Sequence, residues 1–296
     1  MPLQSLKKML ANALDGGYAV GYFEPWDQYS MEAVIQAAEV MSSPVIIGCG
    51  GIMMNQSWFN GGGMELLAGI GLVLGEKSKV QTALLLNEVT TFEQILRGLD
   101  LGFNAVMLHT AGLSYEENLR ITRRIVEAAH AVDVAVEAEL GELPLGIGGG
   151  NHSHAALTDP DQAADFIERT GADALAVSIG NVHIKLDGAV GALDLERLER
   201  IHRKVSVPLV IHGSTGFPDD AIPEAISLGV AKFNVGTLLK KAFYAGLREV
   251  ISTTPEDASP HDTVGSRKAE DVLSRACNRV REAVERLIKL YLNRKA

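Results

Sequence analysis

Hydrophobic residues follow two alternating patterns along the chain from Gly17 to about Gly246. Short apolar or β-branched runs are separated by longer stretches with apolar residues at helical spacing, a pattern typical of parallel strands joined by crossover helices. The runs predicted to be strands, each apolar enough to be buried on both faces, are Ala19–Phe23, Val45–Gly48, Thr82–Leu86, Ala105–Leu108, Ala135–Leu140, Ala174–Ile179, Leu209–His212 and Lys232–Val235. Eight such units favour a closed α/β barrel, the (β/α)8 or TIM barrel, over an open sheet.

Helices are predicted between these strands and at the end of the chain. Ser30 and Asp159 are expected to be N-caps, the second because Pro160 follows it. The predicted helices are Ser30–Met41, Tyr115–His130, Pro160–Thr170 and Leu193–Lys204, followed by a linker at Ser252–Val264 and a terminal helix within Arg267–Asn293. This divides the chain into a barrel at 1–250 and a linker with a C-terminal helical extension at 251–296. The extension is expected to pack on the barrel or on a neighbouring subunit.

Composition narrows the classes of function. A chain of 296 residues with 47% hydrophobic side chains suffices for one barrel domain, and its two cysteines are too few for a disulfide framework. A net charge of −10 argues against a nucleic-acid partner. The sequence has no apolar run of about 18 residues and no evident signal peptide, so we expect a soluble cytoplasmic protein without a membrane partner.

Polar side chains follow most of the predicted strands. In a (β/α)8 barrel, the reacting groups come from the carboxyl ends of the strands and the loops after them. The residues at these ends are Glu24, Asn87, Glu88, His109, Glu137, Glu139, Asn181, His183 and His212. The Gly-rich connection Glu142–Leu157 follows the fifth strand and is long enough to predict a functional loop.

His183 and His212 end neighbouring strands and could offer two imidazole nitrogens to one divalent metal ion. A carboxylate has to supply a third ligand, and either Glu88 or Glu139 could do so from the same rim. This set would leave a coordination position open for a substrate oxygen.

The loops after the seventh and eighth strands predict a phosphate site. Both are rich in glycine and small hydroxyl residues, which leave backbone N–H groups free, and these loops commonly bind phosphate in this fold. The predicted phosphate-binding residues are Gly213, Ser214, Thr215, Gly216, Asn234, Gly236 and Thr237. The expected partner is therefore a phosphorylated small molecule.

Several segments together resemble the class II, metal-dependent ketose-bisphosphate aldolases, which include fructose- and tagatose-bisphosphate aldolases. They are MPLQSLKKML, GGYAVGYF, SPVII, YEEN, VEAELG, LTDP, ERTGADALAVSIGNVH, VPLVIHGSTGFP and GVAKFNVGT. The resemblance implies a dimeric or tetrameric barrel in which Zn2+ or a similar ion polarises a ketose carbonyl and stabilises an enediolate. By position it assigns His183 and His212 to the metal and Glu139 to a carboxylate near it. It assigns Gly213, Ser214, Asn234 and Thr237 to phosphate.

The chain departs from the family pattern at the third strand. Where the family has His-Leu-Asp-His, this chain has Leu85-Leu86-Asn87-Glu88, so Asn87 replaces the acid/base aspartate and Glu88 replaces a metal histidine. A neutral amide can hold a hydroxyl but cannot exchange protons, whereas Glu88 can still bind zinc through oxygen. Glu24 and His109 add titratable groups where the family has Asn and an acidic residue. Either could replace the lost aspartate. Ile184 replaces a phosphate-binding glycine.

Three functions remain open from the sequence. The first is a divergent aldolase, an aldehyde-lyase that cleaves or forms a C–C bond in a phosphorylated ketose or an analogue. The second is an epimerase or isomerase that uses the same enediolate without net cleavage. The third is an inactive barrel that binds a sugar phosphate. It stays open because a shared fold does not by itself establish a shared catalytic activity.

Overall fold

The computed structural model describes residues 3–141, 157–181 and 193–293. Within these residues, eight parallel strands close into a barrel in chain order, so the predicted TIM barrel is confirmed. The strands are β1 (Val20–Phe23), β2 (Val45–Gly50), β3 (Thr82–Val89), β4 (Ala105–Leu108), β5 (Ala135–Leu140), β6 (Ala174–Val177), β7 (Leu209–Ile211) and β8 (Val230–Val235).

Helices alternate with the strands and surround the barrel. They are α1 (Leu6–Gly16), α2 (Gln28–Val40), α3 (Gln56–Trp58), α4 (Met64–Lys77), α5 (Phe92–Asp100), α6 (Tyr115–His130), α7 (Pro160–Thr170), α8 (Leu195–Lys204), α9 (Ile222–Ser227), α10 (Thr237–Thr253), α11 (Pro260–Thr263) and α12 (Val272–Tyr291). Short 3-10 turns lie at Gly51–Met53 and Asp219–Ala221, and a π-helical turn at Phe59–Gly63 precedes α4.

Two apolar layers hold the barrel together. One lies between the strands and the surrounding helices and includes Leu84, Leu86, Val106 and Phe166, all buried. The other fills the barrel interior with residues such as Leu85 and others at alternate strand positions. Because neighbouring side chains on a strand point to opposite faces, this alternation separates the two layers and also sends polar residues into the barrel mouth.

At β6 and β1, one strand boundary differs from the sequence prediction because backbone N–H groups donate to acceptors outside the neighbouring strands. β6 ends at Val177 instead of Ile179 because Ser178 N donates to Thr158 Oγ1 (2.8 Å) and Ile179 N donates to Asn181 Oδ1 (2.9 Å). At β1, Ala19 N donates to the carbonyl of Tyr291 (2.9 Å), so the strand begins one residue later than predicted.

The prediction that Ser30 caps α2 is wrong. Asp27 is the N-cap: its Oδ1 accepts from Ser30 N (2.8 Å), and Asp27 N donates to Ser30 Oγ (3.0 Å). Ser30 is thus the N3 residue of a capping box. The predicted cap at Asp159 is observed, with Asp159 Oδ1 accepting from the backbone of Asp161 and Gln162 (both 2.9 Å).

The C-terminal helix α12 packs against the barrel, in contact with α2, α9, α10 and β1. α10 continues beyond the division predicted at residue 250 and ends at Thr253. Pro255 explains this end, because the residue before a proline is disfavoured in helical conformation. The division into a barrel and an extension stays a prediction.

Among the described residues, no helix is both long enough and apolar enough to span a membrane.

Candidate active site

Three side chains from separate strands meet at the carboxyl end of the barrel. Glu88 belongs to β3, Glu139 to β5, and His212 directly follows β7. One potential ligand atom from each lies within 4.8 Å of the others, and all three residues are buried. The closed barrel brings them together across the mouth although they are far apart in the chain.

Glu88 reaches this position through an irregularity in β3. Its φ is +46°, in the left-handed region that non-glycine residues rarely adopt, and the pairing of β3 with β4 shifts between Leu86 and Val89. Consecutive strand residues normally point to opposite faces. Here the side chains of Asn87 and Glu88 lie together, with Asn87 Nδ2 donating to Glu88 Oε2 (2.8 Å).

Glu139 is held by the turn after β4. Its Oε1 accepts from the backbone N–H groups of Thr110 (2.6 Å) and Ala111 (3.2 Å). His109 Nδ1 lies 3.3 Å from the same oxygen and 3.9 Å from Glu88 Oε1. The contact with Glu139 raises the pKa of His109, while burial acts in the opposite direction.

His212 lies between two carboxylates. Its Nε2 is 2.8 Å from Glu137 Oε1, and its Nδ1 is 3.6 Å from Glu88 Oε1. Burial by itself would lower the pKa of His212, but the contacts with Glu137 and Glu88 outweigh it and raise the pKa to about 9. Asn181 Nδ2 donates to the backbone carbonyl of His212 (2.8 Å) and so holds the backbone at this residue.

His212 belongs to a buried network that includes Lys232, a residue that the strand-end pattern does not predict. Lys232 Nζ donates to Glu137 Oε1 (2.9 Å) and Asn234 Oδ1 (2.6 Å) and is 2.7 Å from Glu137 Oε2. Burial raises the pKa of Glu137, but Lys232 and His212 outweigh it and hold the pKa below its ordinary value. The sequence does carry a signal for these residues, because side chains two positions apart on a strand point to the same face. Glu137 therefore shares a face with Glu139, and Lys232 shares one with Asn234, in strands that are otherwise apolar.

A cavity of about 330 Å³ opens beside the cluster. Its lining residues come from the barrel mouth and the first turns of α10: Glu24, Met53, Glu88, Gly213, Thr215, Asn234, Gly236, Thr237, Lys240, Lys241 and Tyr244. Gly236 and Thr237 line the cavity, so the positive end of α10 lies there. Lys240 Nζ is 3.3 Å from Glu24 Oε1.

The structure groups most of the predicted phosphate residues around this cavity. Gly213, Thr215, Asn234, Gly236 and Thr237 line it. Ser214 donates its hydroxyl to the carbonyl of Ile211 (3.0 Å), and Gly216 has a φ of +89° that suits a turn. Lys240 and Lys241 of α10 add positive charge to the cavity wall beyond the predicted phosphate residues.

The donors at the mouth fit a divalent metal ion. Ligand atoms about 2.0–2.2 Å from one ion lie at most roughly 4.4 Å apart, so the Glu88–Glu139–His212 cluster needs only small adjustments. Two carboxylates and an imidazole are suitable zinc ligands. His183 and all but the last residue of the connection predicted at Glu142–Leu157 lie outside the described residues.

Comparison with known proteins identifies relatives along nearly the whole chain. The sequence profile of the family described as fructose-bisphosphate aldolase class-II matches residues 4–295. The structure of the YdjI aldolase from Escherichia coli K12 is similar, with 31% identity, a TM-score of 0.79 and coverage of 98% of this chain and 97% of that chain.

Two further structures are similar. A putative fructose-1,6-biphosphate aldolase from Coccidioides immitis has 28% identity, a TM-score of 0.78 and coverage of 98% and 96%. The fructose-bisphosphate aldolase of Campylobacter jejuni has 23% identity, a TM-score of 0.77 and coverage of 98% and 95%, and supports the fold alone.

Proposed function

Because the chain belongs to the class II fructose-bisphosphate aldolase family, we propose that it is a divergent metal-dependent aldehyde-lyase. The proposed reaction cleaves or forms a C–C bond in a phosphorylated ketose or a close analogue. The observation that carries this proposal is the buried cluster of Glu88, Glu139 and His212 at the barrel mouth. Family membership alone would not suffice, because one fold supports many functions.

His212 and Glu88 are the proposed metal ligands among the described residues, with His183 as a further ligand on the strength of the sequence. A divalent cation, with Zn2+ as the first choice, would supply Lewis acidity toward a carbonyl oxygen. Glu139 is proposed to act beside the cation in catalysis. Hydrogen bonds from Thr110 and Ala111 keep its carboxylate in place.

The substrate phosphate is proposed to bind at the start of α10. Gly213, Thr215, Gly236 and Thr237 surround this part of the cavity, with Asn234 beside them. Ser214 and Gly216 are proposed to shape the loop that supplies its backbone N–H groups. The helix dipole and the lysines of α10 favour an anion there.

Proton transfer needs a group other than Asn87, because its amide can orient a hydroxyl but cannot accept the proton. Two candidates that the sequence predicts lie among the described residues. Glu24 lines the cavity, and the His109 side chain is 31% exposed at the rim. Each can reach the mouth from its own strand end, and we propose that one of them is the acid/base.

The oligomeric state and the cellular location of the protein are also proposals. A homodimer or homotetramer and a cytoplasmic location follow from the family resemblance and the sequence. Sedimentation of the purified protein tests the first.

The proposed function is tested by metal analysis combined with product analysis. The wild type is expected to hold a stoichiometric divalent ion after reconstitution with Zn2+, and His212→Ala is expected to lose it. His130→Ala is the matched control, because His130 pairs with Asp173 outside the site (2.8 Å) and should leave the metal content unchanged.

Incubation with a panel of ketose phosphates then identifies the reaction. Triose or other cleaved products support the aldehyde-lyase. Isomeric sugars without cleavage would indicate an epimerase or isomerase, and ligand binding without turnover would indicate an inactive sugar-phosphate-binding barrel. A wild-type protein without a stoichiometric ion contradicts the metal-dependent reaction.

A further inference from the structure

Lys232 is a fully buried cation inside the barrel. A buried ammonium is costly unless several acceptors surround it. Here Nζ contacts both carboxylate oxygens of Glu137 (2.9 and 2.7 Å) and Asn234 Oδ1 (2.6 Å), and it lies 5.1 Å from the ring centre of Tyr22. These contacts leave the ammonium little freedom to change partners.

The contact of Lys232 with Glu137 affects His212, because the same carboxylate of Glu137 also contacts the His212 ring. An ionised carboxylate can only accept hydrogen bonds, so the 2.8 Å contact requires a proton on His212 Nε2. That bond orients the ring with Nδ1 toward Glu88. Partners of this kind fix the tautomer and orientation of metal-binding histidines.

The other contact fixes the amide of Asn234. Lys232 can only donate, so Asn234 must turn Oδ1 toward Nζ and Nδ2 away from it. Asn234 lines the cavity, and within the described parts of the chain its Nδ2 has no hydrogen-bond partner. This leaves, among the described residues, a buried amide donor without a partner in a residue of the cavity wall.

We propose that Lys232 is a positioning residue that aligns His212, through Glu137, and the amide of Asn234 for the same substrate. This inference rests on the proposed function and adds to it a statement about the substrate: the atom that meets Asn234 is a hydrogen-bond acceptor, such as a carbonyl, hydroxyl or phosphate oxygen. A flipped amide would instead present an oxygen and repel it.

Lys232→Met tests the proposal because methionine keeps most of the volume but removes the donors. We expect the dissociation constant for Co2+, measured by titration, to rise about 10–100-fold. In metal-free protein labelled with 15N-histidine, the Nε2-bound proton of His212 should be lost or should exchange faster. Inorganic phosphate should bind about 2–10-fold more weakly, because Asn234 is no longer held.

Lys7→Met is the matched control. Lys7 also pairs with a buried carboxylate, that of Asp173 (2.9 Å), but at the opposite end of the barrel. It should leave all three measurements unchanged. Wild-type Co2+ affinity and a wild-type Nε2 proton in folded Lys232→Met would overturn the role at His212, and unchanged phosphate affinity would overturn the role at Asn234.

The double variant Lys232→Met/Glu137→Gln keeps the test decisive if the single variant does not fold. It removes both buried charges and leaves no unpaired carboxylate. If Lys232 only stabilises the fold, this variant should bind inorganic phosphate as tightly as Glu137→Gln alone does, whereas a positioning role at Asn234 makes its phosphate binding weaker. If the wild type itself binds no Co2+, the proposed function fails, and the Nε2 proton of the metal-free protein still decides the role of Lys232.

Discussion

At the scale of single residues, Glu88 determines the geometry of the mouth. Its left-handed backbone costs about 1–3 kcal/mol, a strain that the register shift beside it accommodates. In return, Asn87 and Glu88 occupy the same side of β3, and Asn87 steadies the carboxylate near His212. A regular strand would turn one of the two away from the mouth.

Glu88→Gln is expected to weaken Zn2+ binding by more than about 100-fold, because a neutral amide replaces a ligand carboxylate. This loss exceeds the one expected when a residue that only hydrogen-bonds to a metal ligand is removed. Competition with a chelator of known affinity measures the change. Glu65→Gln is the control, since Glu65 pairs with Arg97 outside the site. Unchanged zinc affinity in Glu88→Gln would remove Glu88 from the ligand set.

Glu24→Gln and His109→Gln distinguish the two proposed acid/base residues. The variant that lacks the proton-transfer group should lose about 10²–10⁴-fold in kcat, while its KM for the same substrate changes little. Steady-state kinetics of ketose phosphate cleavage gives both constants. Retained kcat in both variants would show that neither residue transfers the proton.

At the scale of elements, β2 and β3 approach closely at Gly48. A Cβ at this position would lie 1.8 Å from the carbonyl oxygen of Leu85, and the φ of +155° also disfavours a side chain. The approach matters for the site because β3 carries Glu88. Any side chain at residue 48 must therefore push the two strands apart.

Gly48→Ala should lower the free energy of unfolding by at least about 3 kcal/mol, the upper end of the usual cost of overpacking. Urea denaturation followed by circular dichroism measures it. Gly61→Ala is a suitable control because a Cβ there meets nothing within 4 Å. Equal stability of the two variants would contradict the close approach.

Asp271 is a buried N-cap of α12. Burial by itself would raise its pKa, but hydrogen bonds from the backbone of Ser274 (2.9 Å), Leu273 (3.1 Å) and Arg267 (3.1 Å) outweigh it and lower the pKa. The ionised carboxylate therefore stabilises the fold above the unfolded-state pKa of about 3.9. This contribution is lost as the pH falls through the lower pKa of the folded state.

Asp271→Ala should cost about 0.5–2 kcal/mol at neutral pH through loss of the cap. Asp271→Asn keeps an acceptor but cannot ionise, so between pH 7 and acid pH it should lose less stability than the wild type. Urea denaturation across this pH range measures both effects. An identical pH dependence in Asp271→Asn and the wild type would contradict the lowered pKa.

At the scale of the whole molecule, the C-terminal helix completes the barrel's packing. Tyr291 is buried and stacks on Phe233 (4.7 Å between ring centres) and near Phe23 (6.2 Å), so α12 contacts the first and last strands together. The same residue supplies the carbonyl that pairs with Ala19 N. These contacts join α12 to the hydrophobic core of the barrel.

Tyr291→Ala should destabilise the protein by about 3–5 kcal/mol, as for other large aromatic residues removed from a core. Wild type and variant should each unfold in a single transition, measured by calorimetry and fluorescence together. A separate early transition, with the barrel intact, would show that residues 251–296 form an independent unit.

The sequence by itself determined the fold and the end of the barrel at which the candidate site lies. Apolar runs at barrel spacing predicted all eight strands, because burial on both faces leaves a pattern in the residues themselves. The polar residues at or near the carboxyl ends of those runs predicted that Glu88, Glu139 and His212 would share one mouth, since the carboxyl ends of all strands in a barrel lie together.

Tertiary structure alone decided the partners within that mouth. Nothing local indicates that Lys232 contacts Glu137, 95 residues away, or that Glu137 orients His212. The left-handed backbone of Glu88 is equally invisible in the sequence, because it follows from the pairing of β3 with β4. Such contacts depend on strand register and barrel closure, and these are set by the packing of the whole chain rather than by any segment.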